Sequence, residues 1–165
     1  MEKVNFISDD NLYKKAEEAF IEYKSFLRNL LPGADIQHIG STAIPGSLTK
    51  EDLDIQVRVS AAEFPRAITV LMKHYETNEG NTKTDTFRAF QDDGADPRLG
   101  IQLTVIDSEL DFFWKIREVL KLNDEYLREY DNLKRTYEGR DMGAYREAKS
   151  EFFEKLMASP EFKRL

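Results

Sequence analysis

The stretch HIGSTAIPGSLTKEDLDIQVRV, from His38 to Val59, holds the residues whose types and spacing could do chemistry. Gly40 permits a sharp turn and close approach of a ligand to the backbone. Ser41 and Thr42 place two hydroxyls, with successive backbone N–H groups, beside that turn, and such a group can hold phosphate oxygens. Asp52 and Asp54 then fall at the start of a strand, where side chains at i and i+2 share a face. Two carboxylates held together are costly unless they bind a cation or share a proton. Mg²⁺ is commonly held by one or two carboxylates plus substrate phosphates. The pattern therefore reads as a phosphate cradle followed by a metal clamp, and the chemistry it implies is metal-assisted phosphoryl or nucleotidyl transfer.

The elements that must position these residues follow from periodicity. Ser8, Asp9 and Asp10 can cap a helix over about 9–31, whose apolar residues recur at helical spacing until Pro32-Gly33 stops it. Residues 35–39 form a short extended piece running into Gly40. Residues 53–59 alternate, with Leu53, Ile55, Val57 and Val59 on one face and Asp54, Gln56 and Arg58 on the other. That second face fronts either a cleft or solvent. A helix is expected over about 61–74, with Pro65 tolerated in its first turns, and strands over 84–91 and 101–106. Three helices should follow, over about 109–122, 123–137 and 141–158. Strands early and helices late predict an α+β fold with a mixed sheet and a helical C-terminal region. The division expected is one domain, with a core over about 1–107 and a helical tail over about 108–165.

Composition narrows the classes. The chain has 165 residues, long enough for a sizeable core, and a net charge of −7. Residues 76–111 alone carry nine acids against three bases. That balance argues against a generic grip on nucleic acid, which rests on neutralising phosphates; a nucleotide whose charge a metal ion carries is compatible with it. The absence of cysteine removes disulfides, thiolate zinc sites and a cysteine nucleophile. No secretory leader or membrane span is visible, so a soluble, cytoplasmic protein is expected. His38 is expected to pack or bond locally, His74 to sit at a helix end, and the aromatic residues from Phe112 to Trp114 and at Phe152 and Phe153 to pack in the core.

Gly40-Ser41-Thr42-Ala43-Ile44-Pro45-Gly46, Lys50 and Asp54-Ile55-Gln56-Val57 resemble the signature of the GrpB-like family. Arg88 and Phe90, Tyr130 with Leu133-Lys134, and Tyr145 with Lys149 and Phe152 resemble its later motifs. The resemblance implies a nucleotidyltransferase-like fold, in which a Gly-Ser turn precedes Asp-x-Asp or Asp-x-Glu on the next strand. It departs from the family in two places. A His-x-His pair on the late strand is here Gln102-Leu103-Thr104, and Asp52 stands where many relatives have an apolar residue. A third carboxylate, usual in active members of the superfamily, has only Asp107 and Asp85 as candidates.

The function expected is a Mg²⁺-dependent nucleotidyltransferase acting on a nucleoside triphosphate and a small acceptor. Gly40, Ser41 and Thr42 would hold the triphosphate, Asp52 and Asp54 the metal and the chemistry, and Arg88, Lys134 and Lys149 would add cationic contacts. The alternative is a nucleotide-binding or protein-interaction module that kept the scaffold without turnover.

Overall fold

The computed structural model describes residues 2–165. Asp9 accepts the Asn11 N–H at 3.0 Å and starts α1 (Asp10–Leu30), which buries Tyr13, Ala16, Phe20 and Leu27 along one stripe. The sheet strands are β1 (Asp35–Ile39), β2 (Leu53–Val59), β3 (Glu76–Thr77), β4 (Phe87–Asp92) and β5 (Leu99–Val105), in spatial order β1-β2-β5-β4-β3. β2 and β5 run parallel, and the remaining pairs are antiparallel. The link from β2 to β5 carries α2 (Phe64–Met72) and the β3–β4 hairpin. The fold is therefore α+β with a mixed sheet, as the sequence predicts.

Alternation in β2 sorts the sheet into two faces. Leu53, Ile55, Val57 and Val59 join Ile101 and Leu103 of β5 in a core closed by Phe20 and Leu27 of α1 and Phe64, Ala67 and Leu71 of α2. The opposite face carries Asp54, Gln56 and Arg58, in register with Gly100, Gln102 and Thr104. α3 (Phe113–Leu122) keeps part of this face from water, its Trp114 N–H donating to Gln56 Oε1 at 3.0 Å. Gln56 is fully buried, its Nε2 donating to Thr104 Oγ1 at 3.0 Å and Asp111 Oδ1 at 2.8 Å. Arg58 grips Asp111 through Nε and Nη2, each at 2.7 Å, and reaches Asp35 at 2.8 Å. The strip that in sequence could front either a cleft or solvent is thus, at Gln56 and Arg58, a hydrogen-bonded network.

Of the expected boundaries that move, two do so for a visible local reason. The strand expected from residue 84 begins at Phe87, because Thr84 Oγ1 accepts the Thr86 N–H at 3.1 Å and turns the chain. The helix expected from residue 109 begins at Phe113, because Asp111 takes the Asp107 N–H at 2.8 Å and holds residues 107–111 in a turn. β3, of two residues, and α6 (Pro160–Lys163), of four, are too short to leave a periodic signature.

α4 (Asp124–Tyr137) and α5 (Met142–Met157) pack with α3 around Val119, Leu120, Tyr130, Phe152 and Leu156, and Ile44 from the Gly40 turn enters this second core. The chain's first residues tie the layers together. Val4 exchanges backbone hydrogen bonds with Arg140 and Gly139 at 3.0 and 2.8 Å, and Ile7 pairs with Thr49 at 2.9 and 3.0 Å. The N-terminal segment therefore lies against the helical tail and the loop that precedes β2.

Candidate active-site cleft

β1 runs into Gly40, whose φ of +76° is left-handed backbone that glycine adopts without strain. Space imposes a second requirement there. A Cβ at residue 40 would lie 2.6 Å from Asp54 Oδ2, and one at Gly100 would lie 2.8 Å from Asp54 Oδ1. Ile39 and Gly100 flank Asp54 on the neighbouring strands. The Asp54 carboxylate is thus seated between two bare backbones.

Residues 41–43 form a single 3-10 turn after Gly40. Ser41 Oγ donates to Thr49 Oγ1 at 2.8 Å and lines the cleft above Asp54. Thr42 is buried; its hydroxyl donates to the Asp52 carbonyl at 3.2 Å and meets His38 Nε2 at 3.1 Å. Thr42 therefore anchors the turn to the start of β2, and its side chain lines neither cavity beside Asp54. His38 stacks on Phe20 at 5.0 Å and meets Glu17 at 3.0 Å through Nδ1, the local bonding expected of it.

Asp52 lies one residue before β2 and lines a cavity with Asp54, Lys50 and Lys149. Burial pushes the Asp54 carboxyl up to about 6; Lys149 opposes the rise, Asp52 adds to it and Lys50 opposes it. Lys50 is lowered by burial and by Lys149, against the pull of Asp52 and Asp54. Lys149 also lies over the Phe153 ring, 5.3 Å from its centroid.

The other expected residues divide. Lys134 reaches the cleft wall, but its ammonium is already held: it donates to Ser47 Oγ at 2.9 Å and to the Leu48 carbonyl, lies 3.4 Å from Asp131 and sits over the Tyr130 ring. Burial lowers it to about 7, with Asp131 opposing. Arg88 is not brought to the cleft. It pairs with Leu103, on the parity opposite to Asp54 and Gly100, and donates to the Thr84 and Phe87 carbonyls. Asp107 follows the far end of β5 from Gly100, roughly 20 Å along the strand. Asp85 precedes β4, whose Gln91 is the residue beside Gly100. The residues of β5 that share a face with Asp54 are Gly100, Gln102 and Thr104, so that strand adds no third acid.

Among the described residues no group of three or more His, Cys, Asp or Glu side chains could hold a metal. Asp52 and Asp54 line one cavity, and their hard oxygen donors fit Mg²⁺ when substrate phosphates and water complete the shell. Their lysine neighbours suit the same phosphates.

Sequence reasoning missed Asp131 as a partner of the Gly-Ser region. It accepts from Ser47 Oγ at 2.8 Å and the Leu48 N–H at 3.2 Å. Nothing in a single sequence pairs positions 84 apart. Two cavities of about 130 Å³ each meet at Asp54 and share Gly40, Ser41, Tyr130 and Lys149. One is lined by lysines and acids; the other runs between β1, α3 and α5 and is mostly apolar.

Several known proteins are similar to this chain. The profile of the family described as GrpB protein matches residues 11–159. A UPF0157 protein of Vibrio cholerae serotype O1 is 31% identical over 160 residues, covering 94% of this chain and 83% of that protein. The crystal structure of the conserved protein GrpB from Enterococcus faecalis superposes with a TM-score of 0.62 at 20% identity, over 90% of this chain and 91% of that one. The Cid1 poly(U) polymerase bound to Mg 3′-dATP overlaps more loosely, with a TM-score of 0.45 at 12% identity over 74% of this chain and 43% of that one.

Proposed function

The chain belongs to the GrpB family, and from that premise we propose that it is a metal-dependent nucleotidyltransferase, moving a nucleotidyl group from a nucleoside triphosphate to a small hydroxyl-bearing acceptor. One observation carries the reading: the Asp54 carboxylate is wedged against the Gly40 turn and Gly100, in a cleft it shares with Asp52, Lys50 and Lys149. A buried acid kept beside a second acid, and given room by two glycines, is costly to stability and suited to cation chemistry.

The backbone at Gly40 and Ser41 can approach phosphate oxygens closely, and the Ser41 hydroxyl can turn toward them. Asp52 and Asp54 would hold Mg²⁺, which when bound offsets the charge of the triphosphate and of the departing pyrophosphate. Lys149 and Lys50 place positive charge on the same wall, where negative charge grows as the pyrophosphate leaves. The acceptor oxygen forms its bond to the α-phosphorus while the bond to the β-phosphate bridging oxygen breaks, and the acceptor proton passes to water. Lys134 acts indirectly by holding the Ser47–Leu48 segment, and Thr42 by holding the turn.

The absence of an acid at Gly100, Gln102 and Thr104 supports a second reading, nucleotide binding without turnover. One experiment addresses both. Calorimetric titration with ATP, GTP, CTP and UTP, with and without Mg²⁺, should show Mg²⁺-dependent binding that Asp54→Asn removes. Pyrophosphate release with a panel of hydroxyl acceptors then separates transfer from binding alone. Failure of every triphosphate to bind at millimolar concentration overturns both readings.

A further inference from the structure

A line of polar contacts runs from the surface of α1 to the start of β2. Glu17 Oε2 lies 3.0 Å from His38 Nδ1, His38 Nε2 lies 3.1 Å from Thr42 Oγ1, and Thr42 Oγ1 lies 3.2 Å from the Asp52 carbonyl oxygen. The Glu17 side chain is 58% exposed and that of His38 only 8%, so the line is open to solvent at its Glu17 end. Asp52 precedes β2, and its carbonyl takes the Thr42 hydroxyl in place of a strand partner.

The line has more contacts than hydrogens. An ionised Glu17 supplies none, a neutral imidazole supplies one and the Thr42 hydroxyl supplies one. All three contacts are hydrogen bonds only when the Glu17–His38 pair holds one further proton. Without that proton Nδ1 keeps its hydrogen, because a bare nitrogen facing a carboxylate sets two acceptors against each other. Nε2 is then the acceptor, and the Thr42 hydroxyl that turns to it no longer donates to Asp52.

The groups around the ring set where the exchange falls. Burial lowers His38 from its ordinary 6.5; Glu17 of α1 opposes the fall, and Arg117 and Lys121 of α3 add to it. The further proton is therefore taken up below pH 6.5. Arg117 donates to the His38 carbonyl at 2.9 Å and Phe20 stacks on the ring at 5.0 Å, so backbone and ring face are held while the hydrogen bonds exchange.

We propose that His38 is a positioning residue for Asp52: protonation of its ring frees the Thr42 hydroxyl to hold the Asp52 carbonyl, and loss of that proton draws the hydroxyl back to Nε2. The proposal rests on the metal-clamp reading for what Asp52 does once it is held.

Full-length, metal-free protein carrying Asp54→Asn, which removes the titration of that carboxyl, would be followed by NMR from pH 5 to pH 8. Nδ1 should carry hydrogen throughout, Nε2 should gain one as pH falls, and the Asp52 carbonyl carbon should shift with the same midpoint. Thr42→Ser should keep that coupling and Thr42→Val should remove it. A carbonyl that does not follow His38, or follows it equally in Thr42→Val, overturns the proposal. Calorimetry on protein with Asp54 intact separates it from the reading it rests on. Affinity for whichever of ATP, GTP, CTP or UTP binds with Mg²⁺, taken relative to His38→Gln, should rise about fivefold from pH 7.5 to pH 5.5, one hydrogen bond's difference. If the carbonyl follows His38 and no triphosphate binds, the exchange stands and the clamp falls. If a triphosphate binds through Asp54 and the ratio stays flat, the positioning role falls and the clamp stands.

Discussion

Ser47 Oγ donates to Asp131 Oδ1 at 2.8 Å across a separation of 84 residues. The same carboxylate oxygen accepts the Leu48 N–H at 3.2 Å, and Lys134 Nζ binds Ser47 Oγ and the Leu48 carbonyl. Helix α4 thereby grips the loop that joins the Gly-Ser turn to the Asp52–Asp54 segment. Thr49, the next residue, bonds Ser41, so the grip reaches the cleft in one further step.

Asp131→Ala should therefore destabilise the protein by about 1–3 kcal/mol, because the Ser47 hydroxyl and the Leu48 N–H lose their shared acceptor and Lys134 loses its counter-charge. Asp131→Ala combined with Lys134→Met should recover part of that loss, since no unpaired charge remains. Urea denaturation of the two single variants and the double variant closes the cycle. Additive losses would show that the two side chains do not act as a unit.

Gly100→Ala tests the seat of Asp54. The new Cβ would lie 2.8 Å from Asp54 Oδ1, so the carboxylate must shift. Binding of Mg²⁺-nucleotide should weaken at least about tenfold, for a stability cost of roughly 1–3 kcal/mol typical of overpacking. Adding Gly100→Ala to Asp54→Asn should change binding little further, which calorimetry reads directly.

Asp54 also sets a pH dependence. Its carboxyl lies at about 6 in the fold against an ordinary 3.8, so the folded state holds a proton that the unfolded chain has lost between those values. Stability then falls as pH rises through that window, by an amount on the order of 1–3 kcal/mol. Asp54→Asn should be more stable than the parent at pH 7 and equal to it below about pH 4. Thermal melts across pH 4–8, without metal, check the sign.

Asp111 should behave in the opposite sense. Burial raises its carboxyl, but the hydrogen bonds from Arg58 and the Asp107 N–H outweigh that and hold it below its ordinary value of 3.8. Its stabilising contribution is present above 3.8 and is lost as pH falls through the lower folded value. Asp111→Ala should cost about 3–5 kcal/mol, because it strands Arg58 and Gln56 inside the structure. Denaturant melts of the variant at pH 7 measure it, and a loss below about 1 kcal/mol would show that the network is not held by this residue.

The sequence by itself determined the alternation of β2, the long capped α1, the α+β order and the Gly-Ser turn followed by paired acids, because each is written within a few residues of itself. Capping oxygens, turn glycines and period-two hydrophobicity act locally and can be read locally. Tertiary structure decided what each polar group faces. Gln56 and Arg58 share the parity of Asp54, yet they close into a network under α3 while Asp54 opens on a cleft. Arg88 turned to the other side of the sheet, Lys134 was taken up by Ser47, Leu48 and Asp131, and Gly100 proved to be the residue that makes room for Asp54. Those outcomes depend on strand register and helix docking between distant segments, which a single chain's local pattern does not encode.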